Sequence, residues 1–250
     1  MLVENRLGDY HFVRGIAPYS SGAVAQPGYE VVHATLVPPL PYRRGFELLD
    51  SHLRAAGRPP QALCGIELRS PRPFTFSGFI EFNQGYVERL RERGILLGDV
   101  NPVARTNVAP EVAPPPEVAL YGFSYTAPSA ERKRTFVVAG AGELLGDRLV
   151  AEDIVRRGDV SPAALEAKAA HVLGLMDARL GGLGVGWADV TAVEVYTVHD
   201  LFPLLRKLLL PRAPAAALHG MRWHFARPPI QEIEFEMDLR GTRREIVIGG

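Results

Sequence analysis

Residues 101–110 read NPVARTNVAP, and Arg105 is the side chain there equipped for chemistry. Pro102 and Pro110 would break a helix, and the small and β-branched residues between them predict a strand. A guanidinium half-buried on a strand needs an anion, because an uncompensated buried charge is costly. Its planar fork suits a carboxylate, which it binds through two parallel hydrogen bonds. Two partners fit this requirement: a protein carboxylate such as Glu111 or Glu117, or an anion from outside. Asn107 lies two residues on, so its side chain leaves the same face of the strand and offers a second polar contact.

The other candidate groups are scattered. His33 lies in an apolar strand pattern, His199 and Asp200 follow another, and His219 and His224 come later. None of these has the spacing of a metal site. Cys64 is the one cysteine, which excludes an intrachain disulfide and a cysteine-cluster metal centre. Glu232, Glu234, Glu236 and Asp238 alternate with Ile233, Phe235, Met237 and Leu239. That alternation predicts a strand with one core face and one solvated acidic face. GAGELLG, residues 140–146, lacks the spacing of a phosphate loop, and no Gly-x-Ser-x-Gly elbow is present. Ser20 and Ser21 have no local base to activate them.

Composition narrows the class. Lys plus Arg and Asp plus Glu each number 28 in 250 residues, so the formal charge is zero. No overall field draws such a chain to nucleic acid or to a membrane surface. The most hydrophobic run, LFPLLRKLLL at 201–210, is short and interrupted by charge. The N-terminus has neither the basic start nor the apolar core of a secretory signal. These features lead us to expect a cytoplasmic protein, and the Ala, Arg, Pro and Gly bias suggests a bacterial source.

The elements that must position Arg105 recur in two halves. In the first, 29–36 reads as a strand, 42–57 as a helix with Phe46, Leu49 and Leu53 on one face, and 62–70 as a strand. A helix over 79–94 and strands over 101–110 and 118–125 follow. In the second, 134–140 reads as a strand. Ser161 caps a helix that carries Pro162 at its first position, 189–198 is a strand, 201–210 a short helix, and two strands close the chain. A loop near 128 divides the chain into 1–127 and 128–250. Each half therefore predicts an α+β layer, a mixed sheet with two helices on one face and its other face solvated or covered by a partner. An internal duplication explains the repetition.

Ordered fragments carry a family resemblance. APYSSGAV (17–24), FNQGYVERL (82–90), PVARTNVA (102–109) and EVALYGFSY (117–125) resemble, in order and spacing, motifs of the RidA/YjgF family. TFVVAGAGEL and VLGLMDARLGGLGVGWADVTAVEVYTV resemble the same family in the second half. There the arginine motif is degraded, with Gly220 or Arg222 at its place. The resemblance covers most of residues 12–125 and implies two tandem RidA-like, chorismate mutase-like domains assembled as a trimer-based homo-oligomer. It also implies a cofactor-free and metal-free deaminase or hydrolase, acting on small enamine, imine or aminomuconate-type carboxylates in a cleft between domains or subunits. Arg105 would bind the carboxylate, with Tyr19, Asn83 and Asn107 orienting the ligand. The family's water-activating glutamate falls near Leu120 in the first half and at Glu234 in the second. A composite site would thus join Arg105 to Glu234, with His33 as a further acid–base candidate. The competing expectation is a non-catalytic carboxylate-binding or structural member of the family.

Overall fold

The computed structural model describes residues 2–146 and 148–249. Its strands are β1 (Leu2–Asn5), β2 (Tyr10–Val13), β3 (Gly22–Ala25), β4 (Tyr29–Pro41), β5 (Leu63–Arg69), β6 (Ala104–Pro110), β7 (Ala119–Pro128), β8 (Phe136–Gly142), β9 (Ala192–Tyr196), β10 (Arg222–His224), β11 (Ala226–Arg227), β12 (Glu236–Gly241) and β13 (Arg244–Gly249). The three long helices are α1 (Tyr42–Ala55), α2 (Phe76–Arg91) and α3 (Pro162–Leu183). Three of these helix boundaries have a clear local cause. Thr75 Oγ1 accepts the Gly78 amide at 3.1 Å to open α2. Ser161 does the same for Ala164 at 3.3 Å to open α3, with Pro162 in the first turn. Gly184, at φ 70°, closes α3 in the left-handed conformation that favours glycine.

The strands form two mixed sheets. One runs β11-β6-β5-β7-β4-β13, the other β1-β2-β3-β8-β12-β9-β10. Pairing is parallel for β5–β6, β9–β10 and β4–β13, and antiparallel for the rest. Phe46, Leu49 and Leu53 of α1 and Tyr86 and Leu90 of α2 bury against the outer face of the first sheet. Val172, Leu173, Met176 and Leu180 of α3 do so on the second. The inner faces pack on each other through Tyr10, Phe12, Ala23, Val137 and Ala139 from one sheet and Val31, Cys64 and Ala104 from the other. Four layers result, helix–sheet–sheet–helix.

Three expectations change on this architecture. The boundary at 128 falls at the end of β7, but sheet membership crosses it. The opening strands β1–β3 belong to the sheet of the second half, while β11 and β13 belong to that of the first. The acidic face is solvated only at its start: Glu232 is exposed, whereas Glu236 and Asp238 of β12 are 4% and 2% exposed, because the first sheet covers them. Finally, 201–210 is not one regular helix. A single turn, Phe202–Leu204, passes into a π-helical turn over Leu205–Leu209.

Candidate active site between the two sheets

Arg105 points from β6 into a cavity of about 40 Å³ between the halves. Tyr19, Phe79 and Asn107 line it from the first half, and Gly140, Gly142, Ile233 and Glu236 from the second. The guanidinium is 3% exposed and sits among four aromatic rings. Their centroids lie 4.7 Å away for Tyr19, 5.2 Å for Phe79, 5.8 Å for Phe82 and 4.8 Å for Tyr86. Such a cage holds the cation by ring quadrupoles and leaves its hydrogen-bond donors for a ligand. Nη1 donates to Asn83 Oδ1 at 2.6 Å, and Nε has no partner. Of the two internal partners that sequence allowed, Glu111 is held instead by Arg227 at 2.7 and 3.2 Å, and Glu117 is exposed. The Asn83 and Asn107 Nδ2 groups also lack partners, while Ser70 Oγ orients Asn107 by donating to its Oδ1 at 2.9 Å. Tyr19, Asn83 and Asn107 therefore gather around Arg105.

The acid on the cavity wall is Glu236. Burial pushes its carboxyl well above the usual range; Asp238 adds to the shift, while Arg179 and Arg105 oppose it. The shift favours the protonated carboxyl, which lines the same cavity as the guanidinium. Two features aim it there. Gly140 leaves the space: a Cβ on that residue would sit 2.2 Å from Glu236 Oε1. Glu143 fixes the backbone just before β12, accepting the amides of Glu234 and Phe235 at 2.7 and 3.0 Å. Glu143 is itself buried against Lys168 Nζ at 3.1 Å. We therefore expect Gly140→Ala to displace Glu236 and unsettle the sheet. A drop of about 1–3 kcal/mol in urea-unfolding stability, the usual cost of overpacking, checks this.

Glu234 and His33 lie elsewhere. Glu234 Oε2 bonds His199 Nε2 at 2.8 Å and approaches Arg227 Nη1 at 4.0 Å, and it does not line the cavity. Glu234 precedes β12 by two residues, so the carboxyl that lines the Arg105 cavity is Glu236 and not the Glu234 expected from sequence. His33 belongs to a buried ionic network between the sheets. Its Nδ1 meets Ser124 Oγ at 3.0 Å and its Nε2 lies 3.6 Å from Glu67. Burial and the charge of Arg240 push its pKa down to about 4, so it is neutral and structural. Arg240 organises this network, bonding Glu67 and Glu194 at 2.7 Å each. Arg222, at the degraded arginine motif, has a side chain 57% exposed and pairs with Glu194 at 3.0 Å. The second half therefore has no caged arginine at that place.

The network also carries a pH-dependent contribution to stability. Asp238 accepts the Tyr196 hydroxyl at 2.8 Å, and burial with the neighbouring Glu67 raises its pKa from 3.8 to about 7. A raised folded-state value means that its contribution is complete below about pH 4 and lost as pH rises through 7. Asp238→Asn keeps the acceptor and removes the titration. Its stability relative to the unsubstituted protein should rise by about 1–3 kcal/mol between pH 5 and pH 8 in urea melts. Glu194, depressed to about 2, titrates outside that window.

Two facing mixed sheets with helices outside, and an arginine-centred cavity where the halves meet, are consistent with two tandem RidA/YjgF-like domains. More narrowly, the chain belongs to the 2-aminomuconate deaminase CnbZ family, whose model matches residues 2–246. It is 41% identical over 244 residues to a 2-amino-5-chloromuconate deaminase from Comamonas testosteroni, covering 96% of each chain. A crystal structure of chorismatase aligns with 96% of this chain and 79% of its own at TM-score 0.55 and 13% identity, a likeness of fold alone. A YjgF-family protein from Mycobacterium tuberculosis aligns with 43% of this chain and 78% of its own, at 20% identity and TM-score 0.24. Among the described residues, no group of three or more His, Cys, Asp or Glu is placed to hold a metal ion. No helix among them is long and apolar enough to cross a membrane.

Proposed function

We propose that the chain deaminates 2-aminomuconate-type enamine carboxylates by hydrolysis, at one site per chain, in the cavity between Arg105 and Glu236. The observation that carries this reading is the pairing, across one small cavity, of an arginine in none of the described ion pairs and a carboxyl whose pKa burial raises. Family membership and the relative's activity on a chlorinated aminomuconate support the substrate class.

The residues fit the steps such a reaction needs. Arg105 holds the carboxylate next to the amino-bearing carbon, with Asn83 bracing the guanidinium and the Asn107 amide free to donate. Glu236 gives its proton to a carbon of the enamine, converting it to an iminium ion. The carboxylate left behind accepts a proton from water as the oxygen adds to the iminium carbon. The carbinolamine then collapses: the C–N bond breaks, ammonia leaves, and a 2-oxo acid remains. One enamine and one water give one ketone and one ammonia, and Glu236 regains its proton. A pKa raised by burial suits a group that must first donate and then accept. At about 40 Å³ the cavity holds one or two waters, so a six-carbon substrate needs lining side chains to move.

The test is to supply 2-aminomuconate to the purified protein in ¹⁸O-water. Ammonia equal to substrate consumed, with label at the new carbonyl, is the expected result; turnover without ammonia, or none at all, overturns the assignment.

A further inference from the structure

A muconate carries a carboxylate at each end, and Arg105 accounts for one. We infer that Arg91, at the C-terminal end of α2, anchors the second; this rests on the reading of the cavity as the deamination site. A depression of about 510 Å³ lies against α2, lined by Ala17, Pro18, Asn83, Val87, Arg91 and Leu149 among others. Three observations put it beside the Arg105 cavity. Pro18 precedes Tyr19, Asn83 bonds Arg105, and Leu149 lines both spaces. Leu149 is the partition that must swing aside for the two to join.

The dimensions agree with a six-carbon diacid. Asn83, Val87 and Arg91 recur every fourth residue, so they form one stripe along the helix. From Asn83 to Arg91 the rise is about 12 Å. Helical side chains lean toward the N-terminus, which brings the Arg91 fork back toward Asn83. The terminal carboxyl carbons of an extended muconate lie roughly 6–7 Å apart, from carbon–carbon bonds of about 1.5 Å. Val87, Ala17, Pro18 and Leu149 supply an apolar wall for the diene carbons between. Arg91 now pairs with Glu88 one turn back, and their side chains are 49% and 56% exposed. An exposed pair of this kind holds weakly and exchanges for a substrate carboxylate. Glu88 and Asp99 also line the depression and oppose an anion there, so recognition depends on the arginine fork itself.

Calorimetric titration of trans,trans-muconate and of sorbate separates the ends, since sorbate keeps the diene and one carboxylate but ends in a methyl group. The unsubstituted protein should bind muconate at least tenfold more tightly than sorbate. Arg91→Gln should bring that ratio close to one while leaving sorbate unchanged, and Glu88→Gln should raise it. An unchanged ratio in Arg91→Gln, or no preference in the unsubstituted protein, overturns the distal anchor. Arg105→Ala should weaken both ligands together. If it does so while Arg91→Gln is silent, the anchor fails and the site stands. If Arg105→Ala has no effect, or neither ligand binds the unsubstituted protein, both fall.

Discussion

Arg105→Ala is expected to lower kcat/KM for 2-aminomuconate by about 10²–10⁴-fold, mostly through KM. Two charge-assisted hydrogen bonds to a carboxylate are each worth about 1.5–3 kcal/mol, and alanine removes both. Arg105→Lys separates charge from geometry. It keeps a cation among the rings of Tyr19, Phe79, Phe82 and Tyr86 but loses the fork and the brace from Asn83. Its kcat/KM should fall between those of alanine and arginine. If lysine matched arginine, the paired hydrogen bonds would not be the source of affinity. The fold should survive either change, because the described side-chain hydrogen bond of Arg105 goes to the neutral Asn83 and none of the described ion pairs includes Arg105.

Glu236→Gln carries the second large effect, a fall of about 10²–10⁴-fold in kcat with KM little changed, the range for removing a general acid–base group. The amide occupies the volume of the acid beside Gly140 but has no labile proton to deliver to the enamine. It should not unfold the protein. Burial favours the neutral form of the native group, and an amide of the same size preserves that uncharged polar character, so unfolding midpoints at pH 7 should change little. A large loss of stability in Glu236→Gln would mean that the side chain is ionised and holds the sheets together. That result would reverse the assigned protonation state.

Much of this site was legible before the structure. The strand of Arg105 follows from its prolines and β-branched neighbours, and the resemblance to RidA-like motifs named Tyr19, Asn83 and Asn107, which do surround the guanidinium. The resemblance placed the acid at Glu234, whereas the carboxyl that lines the Arg105 cavity is Glu236. Residues two apart share a face, so alternation alone cannot choose between them. The deciding signal lay on the neighbouring strand. Gly140 and Gly142 alternate on β8, and glycines at that spacing mark a face where another side chain must approach closely. The solvated reading of the acidic face failed for a different reason. It assumed that each half buries only one side of its sheet, whereas the halves bury the second sides against each other. The exchange of β1–β3 and β13 between sheets has no local signature, since the partner of a strand depends on contacts more than a hundred residues away. His33 shows the same limit: the apolar strand was read correctly, but its partners Ser124 and Glu67 come from distant strands.

The most direct test compares the two cavity variants in one assay, measuring binding of trans,trans-muconate by calorimetry and ammonia release from 2-aminomuconate at saturating substrate. Glu236→Gln should bind muconate as the unsubstituted protein does yet release ammonia at less than about one hundredth of its rate. Arg105→Ala should bind muconate at least about a hundredfold more weakly. A Glu236→Gln protein that releases ammonia at the full rate, or an Arg105→Ala protein with undiminished binding, would contradict the division of labour between acid and anchor.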